Sequence, residues 1–211
     1  ESIGQAIVEV QAMQRGLFEE KVGTTAVDLN GDRAGVRTQE TNLGNLIADA
    51  ARSVTGADAA LITGGSIRAT IEAGTITRGD VVNVLPFGNN VVVKRVKGSA
   101  LREALEFALS VYPEQNGGFL QVSGITLRFK PANEAGRRIV ELLIGGSPVE
   151  DEKEYAVALN AALTKGEGGY AMLAEQPTVY EFGGLDELLI RYLQEQGKVA
   201  AKVEGRILAV Q

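Results

Sequence analysis

Three arginines, Arg33, Arg37 and Arg68, lie in or beside glycine-marked turns of a chain whose formal charge is -6. A guanidinium keeps its charge at neutral pH, and its planar fork donates two parallel hydrogen bonds, a geometry that phosphates and carboxylates accept. The same three residues would serve equally as solvated surface charges or as partners of neighbouring Asp and Glu. Arg68 closes the run Thr63-Gly64-Gly65-Ser66-Ile67-Arg68, whose glycines, Gly65 among them, let a ligand approach the backbone and expose N–H groups that can hold an anion. The run lacks the Gly-Lys-Ser/Thr ending of a Walker loop and does not match the dinucleotide fingerprint. A tight strand-to-loop turn would use the same glycines without any ligand.

Two loops carry aromatic rings. Leu85-Pro86-Phe87-Gly88-Asn89 sets Phe87 in a rigid segment, where the ring can stack on a nucleobase or plug an apolar cluster beneath the loop. Asn116-Gly117-Gly118-Phe119-Leu120-Gln121 reads as a second aromatic loop, a pocket wall or simply core. Gly166-Glu167-Gly168-Gly169-Tyr170 has the freedom to fold around a ligand, with Glu167 as its carboxylate, although glycine runs are also ordinary turns.

Other chemistries are excluded by counting. The chain has no histidine and no cysteine, which removes a Ser-His-Asp triad, a Cys-His pair, a His-ligated metal centre and any disulfide framework. No pair of carboxylates has a convincing spacing for general acid–base work, and no oxygen-ligand loop of the calcium type is present. The 21 basic residues are dispersed, so a nucleic-acid backbone would meet no electrostatic footprint. No apolar run reaches the roughly 18 residues a membrane span requires, and no segment reads as a signal peptide.

The elements that must position these residues follow from periodicity. Residues 1–21 read as an amphipathic connector helix, with Ile3, Ile7, Val10, Met13 and Leu17 at intervals of three and four. Residues 22–211 read as one domain, large enough at 45% hydrophobic content to bury a core. Within it, strands are expected at 22–29, 57–62, 91–96, 124–129, 138–144, 155–159 and 205–210. Helices are expected after a Thr41 or Asn42 cap as far as Gly56, at 78–85, at 99–109 and at 185–196. Strand–helix alternation in the first half and a hairpin around Asn133-Glu134-Ala135-Gly136 in the second imply an α+β architecture of mixed sheets packed with helices.

Four motifs in order complete the reading. Glu40-Thr41-Asn42-Leu43-Gly44-Asn45-Leu46-Ile47-Ala48-Asp49-Ala50, Gly64-Gly65-Ser66-Ile67-Arg68, Leu85-Pro86-Phe87-Gly88-Asn89 and Gly118-Phe119-Leu120-Gln121-Val122-Ser123-Gly124 together resemble the signature of 5'-nucleotidase and UDP-sugar hydrolase C-terminal domains. That resemblance implies a substrate-binding domain joined by its connector helix to an N-terminal metallophosphoesterase domain, which holds two divalent metal ions and performs the hydrolysis. This chain would then need no metal or cofactor of its own, would be inactive alone, and would belong to an extracellular, periplasmic or cell-surface protein. Its partners would be a nucleotide or nucleotide sugar and that N-terminal domain. Carried over by position, Arg33, Arg37 and Arg68 would contact phosphate or ribose, Phe87 would stack on the base, and Asn89 would contact it. The family commonly has Asn and Gly where Thr63 and Ser66 stand, a second stacking Phe at Ala162, and a ribose-binding Asp at Gly168, one residue after Glu167. These departures leave open a decayed, non-catalytic domain or one acting on a different phosphoester.

Overall fold

The computed structural model describes residues 3–211. In chain order the elements are α1 (Ile3–Glu19), β1 (Lys21–Thr25), α2 (Arg33–Val36), α3 (Asn42–Thr55), β2 (Ala59–Thr63), β3 (Gly74–Thr77), α4 (Arg78–Val84) and β4 (Asn90–Lys97). There follow α5 (Gly98–Ala108), β5 (Leu120–Ser123), β6 (Ile125–Phe129), β7 (Ile139–Ile144), β8 (Ser147–Pro148) and β9 (Glu154–Asn160). The chain ends with α6 (Ala161–Thr164), α7 (Ala171–Ala174), β10 (Thr178–Gly184), α8 (Leu185–Gln196), β11 (Lys198–Val199) and β12 (Ile207–Ala209).

A five-stranded mixed sheet, order β10-β4-β9-β2-β5, forms the centre. Strand alternation splits its apolar side chains between two cores: Ala60 and Ile62 face one, Ala59 and Leu61 the other. The first core is closed by α3, α4 and α8, the second by α5 and the hairpin β6–β7. A three-stranded sheet, β11-β1-β3, and a four-stranded sheet, β12-β6-β7-β8, flank this body. The architecture is α+β with mixed sheets, as the sequence implies.

The helices begin where capping chemistry places them. Thr41 accepts from Gly44 N at 3.0 Å, and α3 stops at Gly56, whose φ of 68° suits glycine. Thr77 and Asp80 form a capping box on α4. Helix α1 occupies most of the segment expected to be helical at residues 1–21, with Glu1 and Ser2 of that segment outside the described residues. None of its described residues is buried, and Ile3, Val8 and Met13 are 82%, 64% and 70% exposed. Its C-terminal end is nevertheless anchored, because Arg78 pairs with both Glu20 and Glu187 at 2.8 Å.

Three expectations change. The strand expected at 22–29 ends at Thr25, leaving Leu29 in an isolated bridge to Ile71. The Asn116–Gln121 segment is not wholly loop, because it runs into β5 at Leu120, and Phe119 is 2% exposed and part of the core. Strands β3 and β10 have no counterpart in the sequence reading; β10 is an edge strand whose residues are mostly exposed, so it carries little apolar alternation.

Gln121 joins the sheet to the segment that bears the first two arginines. It is fully buried, donates to Val36 O at 3.1 Å and Gln39 O at 2.8 Å, and accepts from Thr41 N at 3.1 Å. Gln121→Ala strands these backbone groups. A loss of roughly 2–3 kcal/mol in urea unfolding is expected, together with faster amide exchange across residues 36–41, whereas an unchanged midpoint would show the clamp to be dispensable.

Candidate functional site

Strand register gathers four loops at one edge of the central sheet. Thr63 pairs opposite Leu120, Val91 opposite Asn160, and Asn90 opposite Gly184. The segments 64–68, 85–90, 116–119 and 161–170 therefore converge, at the carboxyl ends of β2 and β9, where ligands commonly bind in mixed and parallel sheets. Between them lies a cleft of about 380 Å³ lined by Thr63, Gly65, Ser66, Phe87, Asn89, Gly117, Gly118, Ala162, Glu167, Gly168 and Tyr170.

Close backbone packing fixes the floor. Gly64 N donates to Phe119 O at 2.7 Å and Gly65 N to Gly117 O at 2.8 Å, while Asn116 N donates to Arg37 O at 3.1 Å. A Cβ on Gly64 would stand 1.9 Å from Val36 O and one on Gly65 2.8 Å from Gly117 O, so only glycine fits either position. Across the cleft, Tyr170 is buried, donates to Gly118 O, and packs edge-on against Phe107 at 5.1 Å. The loop 166–170 is thereby tied to the loop 116–119. Asn160, also fully buried, donates to the hydroxyls of Thr63 and Ser66 at 3.0 Å each. Sequence reasoning assigned no role to Asn160, and none to Gln121 beyond its motif, because their partners lie 80 to 97 residues away.

Of the site residues read from sequence, four line the cleft and the three arginines stand outside its lining. Gly65, Phe87, Asn89 and Glu167 line the cleft, and Phe87 is 58% exposed rather than plugged into core. Arg68 sits at the rim, its guanidinium 5.8 Å from the centre of the Phe87 ring and 3.4 Å from Gly65 O. Arg37 approaches Gly117, for a Cβ on that glycine would stand 4.0 Å from its guanidinium carbon. Arg33 is tied to the other two through the effect of its charge on Arg37. Burial first, then the charges of Arg33 and Arg68, hold the Arg37 pKa below the ordinary guanidinium value. Among the described residues none of the three makes an ion pair. Three like charges without an ion-pair partner favour an anion beside them. Ala162 and Gly168 face the same cleft and contribute no side chain beyond a methyl group. Among the described residues no three His, Asp or Glu side chains cluster to hold a metal, and no helix is long and apolar enough to cross a membrane.

The fold is a mixed-sheet α+β domain with an aromatic-walled cleft at the ends of its central strands. Residues 21–175 match the family model of the 5'-nucleotidase C-terminal domain, and the chain belongs to that family. It is 42% identical over 203 residues to the trifunctional nucleotide phosphoesterase protein YfkN of Bacillus subtilis, covering 90% of this chain and 14% of that protein. It is 34% identical over 212 residues to the snake venom 5'-nucleotidase of Crotalus adamanteus, covering 90% of this chain and 36% of that protein. The crystal structure of a 5'-nucleotidase precursor from Thermus thermophilus superposes with a TM-score of 0.88 at 36% identity, over 99% of this chain and 43% of that one. The chain thus spans less than half the length of each of these three relatives.

Two outcomes follow from this geometry. Burial raises the Tyr170 pKa above that of a free phenol, so its proton is held more tightly in the folded than in the unfolded chain. Its contribution to stability is complete below the free-phenol value of about 10 and is lost as pH rises above it. Urea unfolding between neutral and strongly alkaline pH is expected to show a steeper loss in the wild type than in Tyr170→Phe, and parallel curves would contradict this. Arg37→Gln relieves like-charge repulsion. In phosphate-free, low-salt buffer its melting temperature is expected to equal or exceed that of the wild type, while its affinity for inorganic phosphate falls about tenfold or more; undiminished phosphate affinity would remove Arg37 from the site.

Proposed function

We propose that this chain is the substrate-recognition domain of a two-domain, metal-dependent nucleotide phosphohydrolase. The observation that carries the reading is Arg68 beside the exposed Phe87 ring, with Arg37 and Arg33 within charge reach and none of the three in an ion pair, next to a cleft large enough for a nucleoside. Arg37 and Arg68 would clamp the phosphate, with Arg33 adding charge from α2. Phe87 would stack on the base and the Asn89 amide would meet its edge. Gly65 lets the ligand reach the backbone.

Glu167 is exposed in the cleft, and its carboxylate would accept from ribose hydroxyls in place of an Asp at Gly168. Hydrolysis would fall to an N-terminal metallophosphoesterase domain carrying two divalent metal ions, which activate water and stabilise the attacking and leaving oxygens. This chain's own residues bind and orient the phosphoester, which gives positioning without turnover. The uncovered apolar face of α1 and the short coverage of the relatives support a connector leading to such a domain. By the same family likeness, the natural setting would be extracellular, periplasmic or at the cell surface, and the substrates nucleoside monophosphates, UDP-sugars or related phosphoesters.

Calorimetric titration of the chain with AMP, UMP, UDP-glucose and inorganic phosphate at low salt tests this reading. Weak nucleotide binding is expected, reduced by roughly 1–3 kcal/mol in Phe87→Ala and weakened in Glu167→Gln. Absence of binding at millimolar nucleotide would favour a decayed domain, and an undiminished Phe87→Ala affinity would discard the stacked base.

A further inference from the structure

At the floor of the cleft the hydrogen bonds do not balance. Thr63 and Ser66 are 7% and 6% exposed, Asn160 is fully buried, and the Thr63 and Ser66 hydroxyl oxygens lie 2.6 Å apart. Thr63 N donates to Asn160 Oδ1 at 3.3 Å, which fixes the orientation of that amide and turns Nδ2 toward the hydroxyls. Both Nδ2 protons are used there, one on each hydroxyl oxygen at 3.0 Å. Two hydroxyl protons remain and only one can occupy the contact between the oxygens. The other has no acceptor among the described residues. A buried donor without a partner is expensive, and both hydroxyls border the cleft. Ser66 also lines a small recess together with Phe87, Asn89 and Leu85, so its hydroxyl lies on the ring side of the cleft.

We propose that the Thr63–Ser66 hydroxyl pair, held by Asn160, reads the base: it donates one hydrogen bond to an acceptor atom, a ring nitrogen of a purine or a carbonyl oxygen of a pyrimidine, on the edge of the ring stacked on Phe87. The inference rests on the nucleotide-recognition reading and names residues of this chain that the arginines and the aromatic loop do not account for. It also gives the Thr63 and Ser66 departures from the family motif a joint role, since each hydroxyl needs the other and Asn160 to be oriented.

The test varies the ligand first, so that it does not depend on a variant's folding. Affinities of the wild-type chain are measured by calorimetry for AMP against its 1-deaza, 3-deaza and 7-deaza analogues, and for UMP against 4-deoxy-UMP and 2-thio-UMP. One analogue of a nucleotide that binds is expected to weaken about threefold to tenfold, the worth of one neutral hydrogen bond. That discrimination should persist in Asn89→Ala, which excludes the neighbouring amide, and vanish in the folded Thr63→Val/Ser66→Ala variant. Binding that is indifferent to every analogue, or discrimination lost in Asn89→Ala, overturns the hydroxyl assignment while leaving nucleotide recognition intact. A chain that binds neither AMP nor UMP overturns both.

Discussion

Three backbone segments touch at Gly64 and Gly65 so closely that only hydrogen fits between them, and the cleft depends on that contact. With Gly64 against Val36 O and Gly65 against Gly117 O, the end of α2, the β2 exit and the entry to β5 are locked side by side. The lock places Arg37, Arg68 and the Gly117-Gly118 backbone around one space. Elements that are distant in sequence enforce it: Gln121 holds α2 from the sheet, Asn160 holds Thr63 and Ser66, and Tyr170 holds Gly118. A binding loop that would otherwise lose conformational entropy on meeting its ligand is thereby largely ordered in advance.

The electrostatics point the same way. Among the described residues five arginines pair with carboxylates, among them Arg78 with Glu20 and Glu187, and Arg206 with Asp49 and Glu204. The Asp49–Arg206 pair is bidentate at 2.7 and 2.9 Å, and with Glu40 accepting from Glu204 N and Arg206 N it fastens the C-terminal segment to α3. Arg33, Arg37 and Arg68 have no ion-pair partner among the described residues, and the charges of Arg33 and Arg68 bear on Arg37. Like charges held together without compensation destabilise a fold, and such strain is commonly retained where it serves a ligand. A chain without histidine or a metal-ligating cluster among its described residues can still supply the binding half of a hydrolase, because charge and shape suffice for positioning.

Much of this was legible in the sequence, unevenly. Helices α3, α5 and α8 declared themselves through apolar residues at three- and four-residue intervals, and Thr41 marked its cap. The mixed-sheet class, the arginines, Phe87, Asn89 and Gly65 could also be read. Strand β10 could not, because an exposed edge strand lacks the alternation that betrays a buried face. The role of Phe119 was ambiguous because Gly117-Gly118 before it looks like a loop in both readings. Asn160 and Tyr170 gain their roles only through contacts across the cleft, and no local pattern encodes a partner 97 or 52 residues away. The proton count at Thr63 and Ser66 likewise requires coordinates, since nothing in the motif reveals that their oxygens meet.

If the cleft at the carboxyl ends of β2 and β9 receives a nucleotide, its backbone amides must sense the ligand. Amide chemical-shift mapping of the ¹⁵N-labelled chain during titration with AMP or UMP tests it most directly. Saturable shifts are expected to cluster at Gly65, Arg68, Phe87 to Asn89, Gly117, Gly118 and Glu167, with the Arg37 side-chain Nε responding to the phosphate. Shifts confined to another face of the protein, or none at millimolar nucleotide, would contradict it.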